Sequence, residues 1–380
     1  MTTDLTPKVS FVVPCYKLAH VLADCVNSIF SQTFSDLEIL IMDDSSPDNT
    51  PRVVRSLSDQ RVRYIRNEEN LGHLRNYNKG ITLARGKYVW LISPDDRLRR
   101  ANILQRYVDI MDSHSGVGYV FCPAVGLHAG EETDLLNWSF HGAQDTIFQG
   151  HAFLKRLTQS NRVAAPAVMA RKECYEKLSL FPEDMPYAGD WYMWGVFALH
   201  YDVAYVAEPM VCYRLHDLNM TKSLRTRDPS ILVNDDIAVR WRLIQQAKAA
   251  GAAQIVTYCQ EEIIADYVRR VLDNRDTASA FGLTIEQLDD SLRRFSSDHA
   301  EESSVRARVY AGLGDRYYWR GSPPDALHWY RRAVHDNNWA LDCWAKYLLI
   351  RMGEAGVRLR KSLSAVRRLV KTLSYASRPG

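Results

Sequence analysis

The chain has 380 residues, 46% of them hydrophobic and 24% charged, with a formal net charge of +3, the balance of a globular protein too long for one average domain. Eight basic side chains against one acidic fall in the last thirty residues, so the basicity is a tail, and nucleic acid is not expected as a partner. Seven scattered cysteines without a C-x-x-C pair weigh against a disulfide framework and a zinc site. No run approaches the roughly eighteen apolar residues of a membrane span, and the N-terminus lacks a basic segment followed by an apolar one, so a cytoplasmic protein is expected.

In chain order, "VSFVVPCY" is a β-branched run stopped by Pro14, and "HVLADCVNSIFSQ" places Val21, Leu22, Cys25, Val26 and Ile29 at helical spacing. "LEILIMDDSSPDNT" is a second apolar strand ending in acidic and turn residues, and Thr50 followed by Pro51 marks a helix start. "RVRYIRN" and "KYVWLISPDD" read as third and fourth strands, separated by a helical stretch from Leu71 to Ala84. Near-continuous apolar strands alternating with helices predict an α/β fold with a parallel sheet covered on both faces. No G-x-G-x-x-G follows the first strand, which weighs against a dinucleotide-binding oxidoreductase.

From Asp112 to Tyr213 short strands and loops rich in Trp, His and Pro are expected, and after Ser223 the chain turns helical. Leu313, Gly314, Tyr317, Gly321, Ala326, Tyr330 and Ala333 are spaced like a tetratricopeptide-type helical hairpin. The expected division is a first domain over 1–223, a helical domain over 224–350 and a basic tail over 351–380. In that tail Leu359, Leu363, Val366, Val370 and Leu373 form one helical stripe that Arg358, Lys361, Arg368 and Lys371 avoid. An amphipathic basic helix over 357–373 either lies on an anionic membrane surface or docks on the preceding helices with a solvated basic face.

Ligands of open parallel sheets sit at the carboxyl ends of the strands. Standing there are Pro14, Cys15 and Tyr16, then Asp43 and Asp44, then Asn67, then Asp95 and Asp96. A single Asp-Asp pair after a strand is most often a turn or a helix cap; two pairs on one sheet edge point further. A diphosphate ~4 Å from a bare carboxylate is repelled by roughly 4 kcal/mol at an effective dielectric near 20, and a divalent cation reverses that sign. Carboxylate oxygens completed by phosphate describe how Mg2+ or Mn2+ is commonly held. One pair then holds a metal-bound nucleoside diphosphate while the other accepts hydrogen bonds from its base or ribose.

"VSFVVPCYK", "LEILIMDDSSPDNT", "NLGHLRNYNKGITLARGKYVWLISPDDRL" and "AGDWYMW…YRLH" resemble, in order and spacing, the family 2 glycosyltransferases of the GT-A fold, over roughly residues 7 to 222. The resemblance implies an inverting transferase that uses a nucleotide-sugar donor, most commonly a UDP-sugar, and a divalent metal. It places Asp43 or Asp44 at the nucleotide base, with Asp48 as the motif's later acid, and maps a donor-binding segment onto Asn70, Gly72 and Asn78, with Arg75 meeting phosphate or ribose. The family's D-x-D element falls on "SPDD", where Ser93 stands in place of the commoner first Asp, so the metal role falls to Asp95 and Asp96. His216 resembles a histidine that relatives use near metal and diphosphate, and Asp190 the catalytic base.

Without the resemblance, Asp190 reads equally as an N-cap for the helix beginning "WYMWGVFAL". Trp191 and Trp194 are candidates for a sugar-stacking platform or for the core, and Arg171 for the acceptor side. The acceptor expected is a glycan or lipid-linked glycan in surface polysaccharide assembly, which a protein on the inner face of the membrane would reach. The helical extension would serve acceptor recognition, membrane association or homo-oligomer formation. Two other readings stand: a nucleotide-sugar pyrophosphorylase, whose glycine-rich basic signature "VPCYKLAHVL" lacks, and a catalytically silent carbohydrate-binding scaffold.

Overall fold

The structure, a computed structural model, describes residues 6–216, 219–336, 341–353, 355–356 and 359. The basic stripe expected over 357–373 lies outside the described residues apart from Leu359. The chain divides into two compact units, Met1–Cys259 and Gln260–Gly380.

The first unit opens with β1 (Val9–Cys15), α1 (Ala19–Phe30), β2 (Leu37–Asp43), α2 (Thr50–Ser56), β3 (Val62–Arg66), α3 (His73–Leu83) and β4 (Tyr88–Leu91). These follow the alternation expected from the sequence. It continues through β5 (Arg97–Leu98), α4 (Ile103–Ser113), β6 (Val117–Phe121), β7 (Ala124–His128), β8 (Glu131–Leu135), β9 (Thr146–Phe148), α5 (Gly150–Leu157), β10 (Met169–Arg171), α6 (Lys172–Lys177), α7 (Gly189–His200), β11 (Asp202–Tyr205), β12 (Val211–Arg214), α8 (Met220–Arg227) and α9 (Pro229–Ala249).

Eight strands form one mixed sheet in the order β3-β2-β1-β4-β10-β6-β11-β9. Its first four strands are parallel, with Cys15 opposite Asp43 and Asp43 opposite Arg66, so their carboxyl ends share one edge. Every residue of β1 and β2 is buried, which explains their unbroken apolar runs: a strand covered on both faces has no solvent side to mark with polar residues. On one face Trp90 stacks between Phe11 and Tyr107, with ring centroids 5.3 and 4.9 Å apart, contacts of about 1 kcal/mol each beyond their buried area.

A second sheet, β5-β12-β7-β8, decides where the later residues go. β12 runs antiparallel to β5, with Cys212 opposite Arg97 and Val211 opposite Leu98. Because β5 immediately follows Asp95-Asp96 and β12 runs into His216, this short pairing brings together residues more than a hundred positions apart.

The second unit is helical. Among the described residues it holds most of α10 (Ala253–Thr277), together with α11 (Ile285–Phe295), α12 (His299–Trp319), α13 (Pro323–Asp336) and α14 (Leu341–Arg351). Thr284 and Gln287 form a reciprocal capping box at the start of α11. The predicted hairpin is α12 and α13: Leu313, Gly314, Ala326, Tyr330 and Ala333 are buried, and the Tyr330 hydroxyl donates to Asp315 at 2.5 Å. Gly314 is required there, since a Cβ would lie 2.8 Å from the Tyr330 ring. No helix among the described residues is long and apolar enough to cross a membrane.

Candidate active site

The carboxyl edge of the parallel strands carries two acidic centres of different character. At the first, Asp43 is fully buried and accepts from the Ser46 amide at 2.8 Å, the Tyr64 hydroxyl at 2.5 Å and the Arg66 guanidinium at 2.5 Å. Asp44 faces the other way, as alternation along a strand requires, and one oxygen accepts from Asn67 Nδ2 and the Leu71 amide, both at 2.8 Å, while the other takes the Gly72 amide at 3.0 Å. Gly72 has φ +83°, a left-handed conformation glycine adopts without strain, and it turns the chain into α3. Asn67 joins Asn76 and Lys79 in the same network, and Asn70 donates to the Asp44 carbonyl.

Several residues of the expected donor segment therefore have structural partners. Asn78 exchanges both of its amide groups with the backbone of Phe181, tying α3 to the loop before α7. Arg75 meets Glu183 in an exposed ion pair at 2.7 Å. Asp48 accepts from Thr50 and from the Ala19 amide, bridging the starts of α1 and α2. Pro14 is buried within β1 opposite Met42, whereas Tyr16 beyond it is 41% exposed.

The second centre is built around the turn after β4. Asp95 accepts from His216 Nε2 at 2.9 Å through one oxygen, and its other oxygen, Oδ1, is buried without a hydrogen-bond partner. Asp96 accepts the Arg214 amide at 2.8 Å, and burial, then the neighbouring charge of Asp95, holds its carboxyl well above the usual range. Arg214, which the sequence reading passed over, braces the turn by donating to the Asp95 carbonyl at 2.6 Å and to Asp24 at 2.8 Å.

Asp190 lies in the first turn of α7. It accepts from the Trp191 amide at 2.7 Å and from Asn161 at 3.1 Å, and burial pushes its carboxyl up to about 6 against those hydrogen bonds. Two tyrosines, Tyr77 of α3 and Tyr213 of β12, lie within electrostatic reach of Asp190 and of the Asp95-Asp96 turn. Burial, then the charges of Asp95, Asp96 and Asp190, push the hydroxyls of both well above the usual tyrosine range. Neither tyrosine is singled out by the sequence, although Tyr77 adjoins Asn78 and Tyr213 opens the "YRLH" segment that ends in His216.

Three candidates fall elsewhere. Arg171 is at the opposite edge of the sheet, in register with Tyr88, the first residue of β4. It is buried and donates to the carbonyls of Val117, Met111 and His114, so its guanidinium ties strands to α4 and does not face an acceptor. Trp191 and Trp194 are core residues: Trp191 donates to the Leu157 carbonyl at 2.7 Å, and Trp194 packs on Tyr119 and Phe197. Both are nearly fully buried, leaving no open ring for a sugar.

Among the described residues no group of three or more His, Cys, Asp or Glu side chains is set to hold a metal ion. The donor set that does come together is Asp95 with His216, and the unpartnered Asp95 Oδ1 is the orphaned atom that a cation would satisfy. Two protein ligands fit a hard divalent ion whose remaining positions are filled by substrate oxygens.

The fold is shared with S. aureus TarS residues 1–349 in complex with UDP-GlcNAc, at a TM-score of 0.61 and 16% identity over 87% of this chain and 91% of that one. This defines the class as a GT-A fold with a helical extension. Residues 10–163 match the family model described as glycosyl transferase family 2. The chain's relatives include glycosyltransferase GlyG of Streptococcus pneumoniae, 32% identical over 29% of this chain and 37% of that one, and an uncharacterized glycosyltransferase of Haemophilus influenzae, 27% identical over 57% and 68%. A third is the GalNAc(5)-diNAcBac-PP-undecaprenol beta-1,3-glucosyltransferase of Campylobacter jejuni, 38% identical over 24% and 31%. The chain spans about a third of the length of GlyG and of the Campylobacter enzyme, and about two thirds of the Haemophilus protein.

Proposed function

We propose that the protein is an inverting glycosyltransferase that moves a sugar from a nucleoside-diphosphate sugar, a UDP-sugar first among the candidates, to a hydroxyl of a glycan or lipid-linked acceptor. The observation that carries this reading is that Asp95, Asp96 and Asp190 all act on the same two tyrosines, Tyr77 and Tyr213, while His216 pairs with Asp95. The UDP-GlcNAc complex of TarS and the undecaprenol-linked acceptor in the name of the Campylobacter relative supply the substrate classes.

In this reading the nucleoside lies over the first acidic centre, against Tyr16 and the Asp43-Asp44 edge, with the segment from Asn70 to Asn78 beside it. Asp95 and His216 would hold Mn2+ or Mg2+ with diphosphate oxygens, and the cation would offset charge building on the leaving diphosphate. Asp190 takes the proton of the acceptor hydroxyl as its oxygen attacks C1, and the C1–O bond to the diphosphate breaks on the opposite face. One carboxylate suffices for such a single displacement, in contrast to the two that glycoside hydrolysis requires. A carboxyl raised to about 6 is a better base than a solvated aspartate and is still mostly ionised at neutral pH.

Calorimetric titration of UDP, dTDP, GDP and CDP, each with and without Mn2+, tests the donor side. Saturable metal-dependent binding of one nucleotide, lost in Asp95→Ala, is expected. A folded protein that binds none of them contradicts the reading.

A further inference from the structure

Asp190 depends on an element that follows the whole sheet. We infer that α9 belongs to the catalytic machinery and that Asp235 and Arg240 are positioning residues for Asp190, one at each side of it; this rests on the reading of Asp190 as the base.

α7, whose second residue is Asp190, has no side-chain cap at its N-cap, Ala188, and within its first turn Asp190 itself accepts the Trp191 amide. The two amides that lead into the helix, those of Tyr187 and Ala188, are taken by α9. One oxygen of Asp235, which is 5% exposed, accepts the Tyr187 amide at 2.6 Å and the Ala188 amide at 3.1 Å. The carboxylate thus sits at the positive end of the α7 dipole, where a negative group is favourable.

Five residues on, Arg240 treats a different helix in the complementary way. Its guanidinium, 6% exposed as a residue, donates to the Thr158 carbonyl at 2.7 Å and the Gln159 carbonyl at 2.8 Å, at the end of α5. A cation here meets the negative end of the α5 dipole. The loop that it grips carries Asn161, the donor to Asp190, and the same guanidinium lies 5.0 Å over the ring of Trp191. One helix therefore fixes the backbone on both sides of the Asp190 carboxylate, with opposite charges at opposite helix ends.

α9 is seated closely enough for this. A Cβ at Gly195 of α7 would come within 2.9 Å of Leu243, so the two helices touch through the bare glycine backbone. Placing an acid to within about half an ångström is what this kind of buried outer contact achieves, and small displacements of a base reduce turnover more than substrate affinity.

The test uses the full chain with UDP-Glc, UDP-Gal and UDP-GlcNAc, measuring UDP release to water with Mn2+ present at temperatures where circular dichroism shows each variant folded. Asp235→Ala and Arg240→Met are expected to lower kcat at least tenfold with KM for the donor within twofold. Asp235→Asn, whose amide oxygen can accept the same two N–H groups, is expected to restore kcat to within about threefold. Amide hydrogen exchange over residues 186–191, a readout independent of turnover, should quicken at least tenfold in Asp235→Ala and not in Asp235→Asn.

Wild-type kcat in Asp235→Ala and Arg240→Met, with Asp190→Asn inactive, overturns the positioning role alone. So does unchanged exchange in Asp235→Ala, or an Asp235→Asn no better than the alanine. A fully active Asp190→Asn overturns the base assignment instead, and the positioning role with it.

Discussion

The two acidic centres of this sheet edge are four strands' width of the same architecture put to different physical use. At Asp43 and Asp44 each carboxylate is saturated with protein donors, so the centre is a rigid frame whose acidity is spent on holding loops. At Asp95, Asp96 and Asp190 the carboxylates are under-satisfied: one buried oxygen has no partner, and two carboxyls are raised by burial. Saturation produces a template, and controlled lack of it produces a place where a proton or a cation changes the energy most.

That contrast can be broken at its strongest point first. Asp190→Asn keeps the shape and removes the base, and turnover should fall by about 10²–10⁴-fold in a rate assay while calorimetry finds nucleotide affinity within twofold. Next, Asp95→Asn or His216→Ala should weaken Mn2+-dependent nucleotide binding by roughly 10–100-fold, leaving metal-independent binding in place. The template centre should respond through stability: Asp44→Ala removes the acceptor of the Leu71 amide and one of two acceptors from the Gly72 amide and the Asn67 side chain, for a loss of about 2 kcal/mol in urea unfolding. Smallest is Arg75→Ala, because its ion pair with Glu183 is exposed on both sides. It should move stability by no more than ~0.5 kcal/mol, and a tenfold loss of donor affinity in the same variant would place Arg75 at the phosphates or ribose.

The template centre was legible because it is local. Each of its strands, turns and helix starts lies within one stretch of some seventy residues, and burial on both faces writes itself as apolar runs such as "ILIM". The reactive centre was legible only in its parts. Asp95 and His216 could be nominated, but their meeting depends on the two-residue pairing of β5 with β12, too short to leave a periodic signal. Trp191 and Trp194 stay open between core and sugar platform in the sequence for a physical reason: a tryptophan that serves a core and one that stacks on a sugar have the same composition, and only the path of α7 through the interior separates them. Arg171 was a candidate for the acceptor side through the segment that carries it, yet its partners are backbone carbonyls at the far edge. Asp235 and Arg240 had no chance of notice, since a helix interior full of acids and arginines reads as a solvated face until its neighbours are known.

The most direct test of the account is the pH dependence of kcat/KM for donor turnover, in the wild type and in Asp190→Asn. The base must be ionised to accept the proton, and burial raises its carboxyl to about 6, so activity should be level above that value and fall tenfold per pH unit beneath it. The residual activity of Asp190→Asn should lack that limb. An acid limb near 6 that persists unchanged in Asp190→Asn would show that another group is the base and contradict the central claim.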